Sequence, residues 1–187
     1  MFMAKILKKT KEAADDVMKW AAAEYNYLKE FKEDLENLKT HLNDLKSEKK
    51  TLGKAKAALR QIGRSERRVN RYYQRLNKDI KSLAGMLPEN LRQEEVDIEK
   101  QIEIAAKSIL EKGSRYVGSL KSQLNSLITE FDLLKKFKNK PEEKSIDQKI
   151  SAIADNLIKE LEGMVNWIGG LVAAVKREES FDERLAA

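Results

Sequence analysis

Leu28, Phe31, Leu35, Leu38, Leu42 and Leu45 follow one another at alternating steps of three and four, with charged residues filling the gaps. Such a stripe lies along one side of a helix, and the helix that carries it must bury it against a neighbour. A second stripe runs through Leu52, Ala55, Leu59, Ile62, Glu66, Val69, Tyr73, Leu76, Ile80, Leu83 and Leu87. A third holds Leu91, Ile98, Ile102, Ala105, Ile109, Tyr116, Leu120, Leu124, Leu127, Phe131 and Leu134, and a fourth Ile146, Ile150, Ile153, Leu157, Leu161, Met164, Ile168, Leu171 and Val175. The period-two alternation of strands is missing. With 8 Gly and 2 Pro in 187 residues, the chain has few places to turn. The pattern predicts an all-α fold, an elongated antiparallel helical bundle or coiled coil of three to four long, kinked helices.

The first two stripes are out of phase, so the helix must break between Leu45 and Leu59. Gly53 is the favoured C-terminal cap, and Gly63 followed by Ser65 is the competing turn. Further on, Gly85-Met86-Leu87-Pro88 either turns the chain or kinks a continuing helix. Asn139-Lys140-Pro141 ends the third helix. These signals predict helices over about 10–52, 54–86, 88–138 and 144–178, forming one elongated bundle over residues 10–178. Residues 1–14 form a basic amphipathic segment ahead of it, and residues 179–187 a polar, frayed tail.

Charge is distributed unevenly. From Lys46 to Lys81 thirteen Lys or Arg stand against three acids, which leaves +10 in a chain whose total is +6. Taking Leu59, Glu66, Tyr73 and Ile80 as heptad position a puts Arg64, Arg71 and Lys78 at f, Arg68 and Arg75 at c, and Arg67 at b. Those positions point away from the stripe. Like charges one turn apart repel by a few tenths of a kcal/mol each, a standing cost that an anionic partner offsets. Lys54, Lys56 and Arg60 extend the block toward the N-terminus. The acidic stretch 12–45 is the competing explanation, since it could neutralise the block within a hairpin.

At the N-terminus Phe2, Ile6 and Leu7 share an apolar side, opposite Lys5, Lys8 and Lys9. A basic amphipathic segment of this kind either inserts into a lipid interface or packs on its own bundle. Catalytic signatures are absent. No nucleophile elbow or phosphate-binding loop occurs, and no Glu precedes the single histidine, His41, by three residues as in carboxylate-bridged metal bundles. No cysteine is present, so disulfides and thiolate metal sites are excluded. The expectation is a protein that is not an enzyme, with no cofactor and no metal site. No apolar run spans a bilayer and no signal-peptide core is seen, which points to a cytoplasmic protein peripheral to a membrane.

In outline the chain resembles BAR domains over residues 1–178. The resemblance rests on the basic amphipathic N-terminus, the long helices with glycine and proline interruptions at Gly85–Pro88 and Gly113–Gly118, and the basic surface. It is similar in plan to the ESCRT-III and phage-shock-protein-A group, which pairs a basic helical hairpin with an amphipathic anchor. The resemblance implies a homodimer, or a polymer, with the basic block on the lipid side. On this reading Lys54, Lys56, Arg60, Arg64, Arg67, Arg68, Arg71, Arg75 and Lys78, with Lys5, Lys8 and Lys9, attract an anionic membrane. Phe2, Ile6 and Leu7 insert into it. A soluble coiled-coil adaptor for an acidic protein is the alternative, and a nucleic-acid binder comes third.

Overall fold

A computed structural model describes residues 2–40 and 45–187, with only the backbone described at 45–47. Four α-helices make up the fold: α1 (Phe2–Thr40), α2 (Leu45–Ala84), α3 (Glu89–Lys136) and α4 (Glu143–Ala186). Among the described residues there is no strand. Most residues of the four apolar stripes are buried, while Leu91, Ala105, Tyr116 and Ile153 are only partly so. Leu28, Phe31 and Leu35 of α1, Ile62, Val69 and Leu76 of α2, Leu120 and Phe131 of α3, and Ile150, Leu157 and Leu171 of α4 are all essentially inaccessible.

The chain gathers into two compact units. One comprises Met1–Glu24, Arg64–Gly113 and Asn166–Ala187; the other comprises Tyr25–Gly63 and Ser114–Val165. Each helix gives one half to each unit. In the first, Glu94 pairs with Arg184 and Gln101 with Arg177, so seven steps up α3 match seven steps down α4. In the second, Lys32 pairs with Glu162 and Lys39 with Asp155, the same opposed stepping between α1 and α4. α3 and α4 therefore run antiparallel in the first unit, and α1 and α4 in the second.

Several expected boundaries move. Helix α1 begins at Phe2, not near residue 10, so the amphipathic segment is its first turns. The first turn is not at Gly53 or Gly63, because both lie inside α2 and neither has a positive φ. Residues 41–44, His41 among them, lie outside the described residues. Helix α2 already runs from Leu45, so the expected break between Leu45 and Leu59 is not found there. Pro88 stands in a turn: its carbonyl accepts the N–H of Arg92 at 2.8 Å and opens α3. Asn139, with φ 63°, takes the left-handed conformation just beyond α3, and its N–H bonds to Glu143 at the start of α4. Residues 179–187 are not a frayed tail. They continue α4 to Ala186, and Phe181 and Asp182 are buried.

Candidate functional site

The cationic side chains of α2 lie on its outer surface. In one unit Lys54, Lys56 and Arg60 are exposed; in the other Arg64, Arg67, Arg68, Arg71, Arg75 and Lys78 are exposed. The helix dictates this, because the apolar positions 62, 69, 73, 76 and 80 take the inner face. Arg75 reaches Asp16 of α1 at 3.0 Å. Arg64, Arg68, Arg71 and Lys78 make no ion pair within 4 Å among the described residues. The acidic stretch of α1 thus neutralises one arginine of this face by direct contact and leaves the others to solvent.

At the start of α1, Phe2 is 77% exposed, whereas Ile6 and Leu7 are half-buried. Of the three residues expected to insert into lipid, only Phe2 stands clear. Lys5, Lys8 and Lys9 are exposed. With Asp16 opposite Arg75 and the helices antiparallel, Lys8 lies level with Leu83. The N-terminal lysines therefore prolong the positive charge past Lys78 instead of adding to it beside Arg64.

The sequence reading missed a second chemistry, carboxylates on the buried stripes. Glu24 of α1 is 2% exposed and sits beside Ser65 and Glu66 of α2. Burial pushes its carboxyl up to about 7, against a lowering hydrogen bond from Ser65 and with a further push from Glu66. Glu66 is likewise raised to about 7, chiefly by burial. Trp20 closes this group by donating its indole N–H to the Ser65 carbonyl at 2.6 Å.

Farther along the same unit, Glu95 of α3 meets Glu178 and Asp182 of α4, with one oxygen of each within 4.8 Å of the others. Glu95 and Glu178 are wholly buried and Asp182 nearly so. Burial raises all three carboxyls, and their mutual proximity raises Glu178 further. Stripe positions announce these acids. Leu171, Val175, Glu178 and Asp182 keep the 4-3-4 spacing, and Glu95 lies four residues after Leu91 and three before Ile98. Reading the stripes for apolar residues alone passed over them.

Neither a protein-family model, nor a curated protein, nor a solved structure matches this chain. The site must be read from its own chemistry. No described helix is long and apolar enough to cross a membrane.

Proposed function

We propose that this chain is a non-enzymatic scaffold that docks on anionic membrane surfaces through the outer face of α2, acting as a homodimer. The observation that carries the reading is the row Arg64, Arg68, Arg71 and Lys78, exposed on one helix face and without ion-pair partners among the described residues. Like charges at this spacing repel, and a surface of lipid phosphates relieves the repulsion while attracting each residue by about 1 kcal/mol. Phe2 favours lipid over an acidic protein: a large aromatic ring left in water beside Lys5 and Lys9 suits a headgroup boundary. No helix-turn-helix or other groove-reading module is apparent in the sequence, which leaves nucleic acid the weaker occupant.

The test is co-sedimentation with neutral and phosphatidylserine-containing liposomes, at low and physiological salt. The variant changes Arg64, Arg68, Arg71 and Lys78 to Glu and keeps the Arg75–Asp16 pair. Pelleting with anionic liposomes alone, weakened by salt and lost in the variant, is the expected result. If wild-type protein stays in the supernatant throughout, the membrane reading fails and an acidic protein partner takes its place. Cross-linking of wild-type protein with and without liposomes reads the dimer.

A further inference from the structure

The trio Glu95, Glu178 and Asp182 belongs to neither the cationic face nor the apolar core. Each residue occupies a stripe position where leucine or isoleucine would be the ordinary choice. Burying three carboxyl groups together costs several kcal/mol unless something compensates. All six carboxylate oxygens lack a hydrogen-bond donor among the described residues, and Glu95 and Glu178 have no accessible surface. Nearby cations are engaged or stand off: Lys81 is 3.7 Å from Glu99, Arg184 pairs with Glu94, and none makes an ion pair with the trio.

The arrangement suits a cation. Three oxygens within 4.8 Å of one another can share a metal ion at bonds of roughly 2.0–2.6 Å after small side-chain adjustments. Oxygen-only ligands select hard cations of the magnesium, manganese and calcium type, and the absence of sulfur and nitrogen donors argues against zinc and copper. Glu178 and Asp182 project from one side of α4, one turn apart, while Glu95 reaches across from α3. A cavity of about 340 Å³ between α1 and α4, lined by Leu7, Lys11, Asp15, Glu179 and Asp182 among others, adjoins the trio through Asp182. It reaches the trio only at Asp182, since neither Glu95 nor Glu178 lines it, and Lys8 and Lys11 stand on its wall with Asp15, Glu179 and Glu183.

We propose that Glu95, Glu178 and Asp182 form a binding site for one hard divalent cation, which ties α3 to α4. The ion displaces protons from the three carboxyls, and its two positive charges offset most of the three negative ones; the centre is neutral where one carboxyl keeps its proton. This site is independent of membrane docking, which uses another helix face.

The experiment uses the full chain, stripped with chelator and then titrated with Mn²⁺, Ca²⁺ or Mg²⁺ at pH 7.5. Isothermal calorimetry and the melting temperature are read together, and electron paramagnetic resonance counts bound Mn²⁺. The expected result is one saturable ion per chain and a melting temperature that rises with ion concentration. Glu178→Gln and Asp182→Asn should each weaken binding at least tenfold, while Glu33→Gln, at an exposed position of α1, leaves it unchanged. Both amide variants keep the side-chain shape and stay neutral, so the metal-free proteins should fold, which circular dichroism verifies. No saturable binding up to millimolar ion, or binding that Glu178→Gln leaves intact, overturns the site. The first result would leave a buried acid cluster only; the second would assign the ion to surface carboxylates.

Discussion

Glu66 of α2 lays its carboxylate over Gly113 of α3, in the space that a β-carbon at position 113 would fill. The glycine is buried within a long helix, where it costs about 1 kcal/mol relative to alanine. Its advantage is the room it leaves for an acid on the facing stripe. In the wild-type chain Gly113→Ala should therefore lose its propensity gain, because the Glu66 carboxylate is displaced. In a Glu66→Ala background the same change should stabilise by about 1 kcal/mol, since the new methyl enters vacated space. Denaturant unfolding of the four proteins gives the coupling directly, and additivity within roughly 0.5 kcal/mol would contradict the contact.

The raised carboxyls make stability fall as pH rises. Glu24 and Glu66 move from 4.5 to about 7 in the folded chain, so the folded state holds protons that the unfolded state has already lost. Their contribution is complete below about pH 4.5 and disappears as pH climbs through about 7. Glu95, Glu178 and Asp182 shift in the same direction. Glu103 and Glu143 are lowered by Lys107 and Lys138, but they lie on the surface, where such pairs weigh little. Chelator-treated protein should melt higher at pH 5 than at pH 7.5. Glu24→Gln should flatten that difference, by on the order of 3 kcal/mol at most. A melting temperature that rises between these pH values would refute the assignment.

Arg92 fastens the turn between α2 and α3. Its Nε donates to the carbonyl of Ala84 at 3.1 Å, which also accepts the Leu87 N–H, and its Nη2 donates to the carbonyl of Leu87 in the turn at 3.0 Å. Arg92→Ala should cost about 1–2 kcal/mol. Arg92→Lys should recover less than half of this, because one ammonium group cannot reproduce the two-pronged geometry. Urea titrations of the three proteins measure both losses, and equal stability of the lysine variant and wild type would show that charge alone matters.

The stripes made the fold class legible: Leu59, Ile62, Val69, Leu76 and Ile80 are buried where the 3-4 spacing puts them. Turn positions were less legible, because glycine is a weak signal inside a helix whose neighbours are deeply buried. Gly53 stands between Leu52 and Ala55, and their burial outweighs its propensity cost of about 1 kcal/mol. The C-terminal residues were misjudged by composition. In REESFDERLAA the single Phe181 is buried and keeps α4 helical, although charged residues surround it. The buried acids stayed hidden for the converse reason. Glu24, Glu95, Glu178 and Asp182 keep the stripe spacing, but their residue type belongs to a solvated face.

The outer face of α2 should carry its positive charge at a measurable cost to stability. Arg68 lies one turn from both Arg64 and Arg71, and no ion pair relieves it among the described residues. Arg68→Glu should therefore leave the fold as stable as wild type or more so, with a gain of about 0.5 kcal/mol from two repulsions turned into attractions. Arg75→Glu should behave oppositely. It removes the contact with Asp16 and sets two acids against each other, for a loss of up to about 1 kcal/mol. Added salt separates these contributions, because it screens repulsion and attraction alike. Raising sodium chloride to about 0.5 M should narrow the gap between the variants, as read from their melting temperatures. If Arg68→Glu destabilised as much as Arg75→Glu, the arginine row would hold the fold together, and the argument that it awaits an anionic surface would lose its footing.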